Sequence, residues 1–126
     1  MIYLDSSAIL TLIFGESHSK KLATALSDEV LVSSLIAHVE VHRALRRTDT
    51  PAQSALEILD RINFLEFDNN TARTAELVPG KNLASLDAIH IATAYLAGVT
   101  AFVSYDARQK TFAEAMGLRT LSPGMN

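Results

Sequence analysis

Met1-Ile2-Tyr3-Leu4-Asp5-Ser6-Ser7-Ala8-Ile9-Leu10-Thr11-Leu12-Ile13-Phe14-Gly15 opens the chain, and its reading decides the fold. Met1 to Leu4 has the length and apolarity of a short buried strand. Asp5 or Ser6 can cap the helix that follows toward Phe14, and Gly15 stops it. The same switch from a strand-like to a helix-like period recurs along the chain. An amphipathic helix is expected over about Ser17 to Leu26, with Leu22 and Leu26 on one face. Val30 to Ser33 reads as a strand, and Ser34 caps a helix running to about Arg47. Thr50-Pro51 places a cap before a proline at the first helical position and opens a helix through Ile62. Phe64 to Phe67 is the third expected strand. Asn70 begins a helix that Pro79-Gly80 ends, and Ser85 caps a long apolar helix to Leu96, closed by Gly98. Ala101 to Ser104 is the fourth strand. A last helix ends at Gly117, with Arg119 to Leu121 as an edge strand.

Strands that alternate with helices imply βαβ crossovers and a parallel sheet covered on both faces. The expected class is therefore α/β, with a central, mainly parallel sheet of four to five strands flanked by helices. The 126 residues suit a single domain spanning 1–126, large enough for a core without staples. No repeat, low-complexity tract or linker interrupts it. In such sheets ligands bind beyond the carboxyl ends of the strands, and both Asp5 and Asp106 fall there.

Composition narrows the chemistry. Cysteine is absent, which excludes disulfides, thiolate metal sites and a cysteine nucleophile, and fits a reducing cytoplasm. No targeting segment is visible, and the apolar run Ala8 to Phe14 is far short of the roughly 18 or more residues of a membrane span. The net charge of −3 argues against a basic coat for unspecific nucleic-acid binding. It is compatible with a nuclease whose metal-binding acids inflate the negative count. Hydrophobic residues make up 48% of the chain, at the upper part of the usual range, so apolar surface is expected to meet a partner as well as the core. Ile9, Leu10, Leu12, Ile13 and Phe14 cover nearly the whole circumference of the first helix. That helix is buried on two sides within the domain, or part of it meets another chain.

Four acids draw attention: Asp5, Glu40, Asp87 and Asp106. Singly, each has a bland account. Asp5 and Asp106 precede helices and can cap them, and Asp87 lies in a first turn, where the helix dipole favours a negative charge. Glu40 could pair with Arg43 or Arg47 on a solvated face. Glu40, however, sits between Val39 and Val41, and Asp87 is surrounded by Leu86, Ala88, Ile89 and Ile91. Carboxylates in apolar surroundings are costly unless something positive compensates them, and a divalent cation can serve all four at once.

These residues also resemble a family. Ile2-Tyr3-Leu4-Asp5-Ser6-Ser7, the segment Ser34 to Arg43, Leu86-Asp87-Ala88-Ile89-His90-Ile91-Ala92-Thr93-Ala94 and Phe102-Val103-Ser104-Tyr105-Asp106 are similar, in order and spacing, to the four acidic blocks of PIN-domain ribonucleases. The nearest resemblance is to VapC toxins, the ribonuclease halves of toxin–antitoxin pairs. It covers essentially the whole chain. The resemblance implies a PIN-like fold in which Asp5, Glu40, Asp87 and Asp106 hold one or two Mg2+ or Mn2+ ions and hydrolyse RNA phosphodiester bonds with a metal-activated water. It further implies a homodimer and a cognate VapB-type antitoxin lodged around the early helices. The last block often carries threonine where this chain has Ser104; the hydroxyl is kept.

Around the acids, Ser6, Arg43, Ser104 and Arg108 are candidates for contacting substrate or supporting the site. Arg43 lies three residues beyond Glu40, and Arg108 two beyond Asp106. His38, His42 and His90 are read as satisfied or exposed helical histidines. No aromatic residues interleave the bases, so a base-stacking platform is poorly supported. Two other readings stay open: a non-catalytic interaction or RNA-binding domain on a PIN scaffold, and a phosphoacceptor receiver domain. The receiver design needs a second acid after the first strand and a lysine after the last, and this chain has neither.

Overall fold

Period-two burial in the first strand sorts the molecule into two apolar layers. In the structure, a computed structural model that describes residues 1–125, β1 (Ile2–Leu4) is buried throughout. Ile2 and Leu4 point to one face, where they join Ala8, Ile9, Leu22, Leu26, Val41 and Leu45. Tyr3 points to the other, with Val32, Ile91, Ala94 and Phe102. A strand buried on both faces belongs in the middle of a sheet, and β1 is there. It pairs in parallel with β2 (Leu31–Ser34) on one side and with β4 (Ala101–Val103) on the other. β3 (Ile62–Leu65) and β5 (Thr120–Leu121) form the edges, giving the order β3-β2-β1-β4-β5 with every pairing parallel. Register sets Tyr3 opposite Phe102, and their rings stack with centroids 5.2 Å apart.

The helices are α1 (Ser6–Phe14), α2 (Ser19–Leu26), α3 (Leu35–Arg47), α4 (Leu56–Asp60), α5 (Asn69–Glu76), α6 (Ser85–Ala97) and α7 (Ala107–Ala115). Asp5 caps α1, its side chain accepting from the Ala8 N–H, and Gly15 closes that helix in the left-handed region at φ 62°. Ser34 caps α3 and Asp106 caps α7 in the same way. Three helices thus begin where a parallel strand ends, carrying their first turns to one edge of the sheet.

Several boundaries differ from those the sequence suggests. The helix expected from Thr50 to Ile62 is a 3-10 turn, Ala52–Ala55, followed by the short α4, with Pro51 preceding the turn in an extended conformation. Ile62, 6% exposed, opens β3 instead of closing the helix, because it lies opposite Leu31 and fills the core. The third strand is therefore Ile62–Leu65, displaced toward the N-terminus from Phe64 to Phe67. Ser85 is the first residue of α6, and Ala84 occupies the cap position with no side-chain hydrogen bond. Asp68 caps α5 through the Thr71 N–H, so that helix begins one residue before Asn70.

The apolar circumference of α1 is taken up mostly by one core within the domain. Ile9 is inaccessible, and Leu10, Leu12 and Ile13 pack partly buried against the same core, while Phe14 is 36% exposed. Replacement of Ile9 by alanine is expected to cost about 2–5 kcal/mol in urea-unfolding free energy. Phe14→Ala on the same helix should cost under about 1 kcal/mol. Equal costs would contradict the packing described here.

Candidate active site

The carboxyl edge of the sheet gathers the acids because three helix caps and one first turn meet there. Asp5 leaves the central strand and is almost wholly buried, at 4% exposure. Its Oδ1 accepts from the Ala8 N–H at 2.9 Å and from Ser7 Oγ at 2.7 Å, and its Oδ2 accepts from Ser104 Oγ at 2.6 Å. Ser7 Oγ also accepts from the Tyr105 N–H at 3.0 Å, tying the start of α1 to the end of β4. Burial pushes the Asp5 carboxyl above its usual range, against the opposing pull of His90 and of the donors on Ser104, Ser7 and Ala8.

Ser104 is the junction of this edge. Besides donating to Asp5, its Oγ accepts from the Asp106 N–H at 3.0 Å and lies 3.0 Å from Gln109 Oε1. Gln109, itself buried, reaches on through Nε2 toward Asp87 Oδ1 at 3.4 Å. Asp106 spends Oδ1 on the N–H groups of Arg108 and Gln109, as a helix cap does. Asp5, Asp106 and Asp87 are thus linked through Ser104 and Gln109. Burial raises the Asp87 carboxyl, and the negative charges of Asp106, Asp5 and Glu40 add to the effect while His90 opposes it.

Glu40 completes the group from α3. Its Oε1 accepts from Ser6 Oγ at 2.6 Å and lies 2.6 Å from His90 Nε2. Burial would raise the Glu40 carboxyl, but the hydrogen bonds from His90 and Ser6 and the charge of His90 prevail and hold it below the usual range. Behind His90, Nδ1 meets the Tyr3 hydroxyl at 2.6 Å, and that hydroxyl accepts from the Ser34 N–H at 3.1 Å. In the neutral imidazole, a Tyr3 proton directed at Nδ1 leaves the ring proton on Nε2, and in the charged ring Nε2 carries a proton as well, so Nε2–H faces Glu40 in both forms.

Among the described residues no three His, Asp or Glu side chains converge on one point as a finished set of ligands. The donor chemistry nonetheless fits a hard divalent cation: four oxygen-bearing acids at one edge, of which only Glu40 has an ion-pair contact, with His90, among the described residues. No lysine or arginine answers Asp5, Asp87 or Asp106 within ion-pair distance among those residues.

The supporting candidates are placed as follows. Ser6 serves Glu40 and Ser104 serves Asp5, while Asp5 acts as the cap of α1. Arg43 is exposed on α3. The Arg108 guanidinium donates to the Asn82 carbonyl in the loop before α6, so it braces that loop. His38 and His42 stack on each other, and His38 rests edge-on against Phe64, which makes them part of the packing between α3 and β3. His90 differs from the sequence reading in one respect. It is buried and satisfied, yet two of its partners, Glu40 and Ser6, belong to the acidic edge. Its position three residues after Asp87, on the same stripe of α6, was the available signal. Gln109, three residues after Asp106, carries the same one; Tyr3 carries none beyond an apolar strand.

A family described as the PIN domain matches residues 2–115. Ribonuclease VapC35 of Mycobacterium tuberculosis is 40% identical, with 98% of each chain covered. Ribonuclease VapC46 of the same organism is 36% identical, with 97% of each covered. Among solved structures, a toxin–antitoxin complex from Klebsiella pneumoniae aligns over 100% of both chains at a TM-score of 0.76 and 20% identity. VapC20 of Mycobacterium tuberculosis, described as a toxin cleaving the sarcin–ricin loop, aligns over 98% of this chain and 100% of its own, also at 0.76, with 16% identity. At those identities the likeness to solved structures speaks for the fold.

The raised Asp87 carboxyl gives a pH-dependent expectation. Folding favours its protonated form, so the stability it contributes is present below the ordinary aspartate range and is lost as pH rises through the elevated folded value. Asp87→Asn should therefore raise the melting temperature of the metal-free protein at pH 7. The gain should shrink toward zero below about pH 4. Calorimetric scans at the two pH values check this, and a loss of stability at pH 7 would assign Asp87 a purely structural role.

Proposed function

The chain belongs to the PIN-domain family as a VapC-type toxin, and from that membership we propose a metal-dependent endoribonuclease, a single PIN-like domain over residues 1–126. One observation carries the metal-dependent part: four acids share the carboxyl edge of a parallel sheet while no lysine or arginine neutralises them among the described residues. Asp5, Glu40, Asp87 and Asp106 would hold Mg2+ or Mn2+. Such a cation, when bound, neutralises charge on the scissile phosphate and acidifies water for in-line attack.

The protein's own part is placement. Asp5 is fixed by three donors at the end of the central strand. Ser104 orients Asp5, and through the Asp106 N–H it also sets the start of α7. Asp87 has only a long contact with Gln109, the fewest hydrogen bonds of the four acids among the described residues. Exposed Arg43 is available to a substrate phosphate on the flank of α3. The bonds to be cut are in RNA, following the relatives called ribonucleases; carboxylates alone do not choose between RNA and DNA.

Partners follow the same reading. A groove of about 360 Å³ is lined by Leu12 of α1, Ala23 and Leu26 of α2 and Ile58 of α4, with Lys20, Glu57 and Arg61 at its rim. It suits an apolar segment of a VapB-type antitoxin. Exposed Leu35 and Val39, one turn apart on α3, support a homodimer. No described helix is long and apolar enough to cross a membrane, and the proposed site of action is the cytoplasm.

Incubation with structured RNA in Mg2+ or Mn2+ should give cleavage that a chelator abolishes. Asp5→Asn and Asp87→Asn should each lose at least about a hundredfold in rate, the scale on which removing a charge-stabilising group acts. RNA binding without cleavage under every metal tried would favour the non-catalytic PIN scaffold. Arg43→Ala should bind RNA more weakly, lower the salt slope by about one and leave metal affinity unchanged. An unchanged slope with unchanged turnover returns Arg43 to a solvated face.

A further inference from the structure

A column of buried polar groups stands behind Glu40, inside a layer that is otherwise apolar. His90 is 1% exposed and Tyr3 fully buried, and the column runs from the Ser34 N–H through the Tyr3 hydroxyl and the His90 ring to Glu40 Oε1. Two buried polar side chains cost more than two apolar ones of the same size unless their hydrogen bonds accomplish something. Packing does not call for them, since phenylalanine and leucine would fill the same space. Their geometry is also specific. Ser6 and His90 both reach the same oxygen of Glu40, Oε1, and among the described residues Oε2 has no hydrogen-bond partner. A glutamate has three side-chain torsions, and clamping one oxygen from two sides fixes which oxygen is left free.

We propose that His90, backed by Tyr3, is a positioning residue: its Nε2–H holds Oε1 of Glu40 so that Oε2 is the oxygen left free for the cation. The role rests on the metal-dependent reading given above. Tyr3 acts through tautomer control. In the neutral ring, with the Tyr3 proton directed at Nδ1, the imidazole must present N–H and not a lone pair to the carboxylate. Ser6, 3.3 Å from Nε2, is the second hand of the clamp.

The test uses the full-length chain and Mn2+ alone, titrated calorimetrically without RNA, beside kcat and KM on RNA. His90→Phe keeps a planar aromatic ring and removes the donor; it should weaken Mn2+ binding about tenfold and lower kcat about 10–100-fold with little change in KM. His90→Gln restores an N–H and should recover most of both. Tyr3→Phe, which deletes only a hydroxyl, should fall between wild type and His90→Phe. In a cycle with Glu40→Gln, the His90→Phe effect on Mn2+ affinity should vanish, because His90 acts only through Glu40. Additive losses overturn the proposal, as does a His90→Phe protein with wild-type Mn2+ affinity. If His90→Phe fails to fold, Tyr3→Phe decides by the same two readouts, and wild-type values there overturn it. A wild type that binds Mn2+ but cuts no RNA sinks the nuclease reading and leaves the Mn2+ cycle to judge His90. A wild type that binds no Mn2+ overturns the inference itself.

Discussion

A hydrogen bond of 2.6 Å runs from Ser104 to Asp5, joining the ends of the two strands at the centre of the sheet. The carboxyl edge is organised from that bond. Through the same hydroxyl the Asp106 N–H is fixed, and with it the first turn of α7, which brings Gln109 under Asp87. Asp5 could not be buried here without such donors, because a carboxylate loses most of its hydration at this depth. Even with them its carboxyl is held above the usual range. The fold thus carries an electrostatic cost at one edge and offsets it with two apolar layers elsewhere. Functional sites are where local consistency is expected to break down.

Tyr3 shows how narrow the division between core and site is. Its ring stacks on Phe102 in the apolar layer, with centroids 5.2 Å apart, and meets the His90 ring edge-on at 5.8 Å. The hydroxyl at the other end belongs to the Glu40 network. Burial raises that hydroxyl far above the ordinary tyrosine range, which keeps its proton in place as a donor. One side chain therefore fills the core with its face and disciplines the site with its tip.

The order of elements was readable from Met1 onward, because strand and helix periods alternate cleanly and Asp5, Ser34 and Asp106 cap the helices their positions suggest. The sheet class followed from that alternation. Boundaries near Pro51 and Ile62 were not readable. An isoleucine at the junction of a helical and a strand period satisfies both patterns, and only the register against Leu31 assigns it. At the site the four acids stood out, since each is a charge in an apolar context. Of their support, Ser6 and Ser104 were legible beside the acids, whereas His90, Gln109 and Tyr3 were not. Histidine in a helix, glutamine in a helix and tyrosine in a strand are ordinary in sequence. They acquire meaning only when Tyr3 and His90, 87 positions apart, share a hydrogen bond.

That separation has a consequence for the life of the chain. Asp5 is made well before its partner Ser104, which lies 99 positions later, and Gln109 later still. The central strand must wait for all the elements up to β4 before its second neighbour exists. Contacts of such long range are slow to form and come late in any folding order. An emerging chain can therefore build α1, α2 and β2 around its N-terminus while the acidic edge remains unassembled. The groove between α1, α2 and α4 needs nothing beyond Arg61, so it can take shape before the acidic edge does.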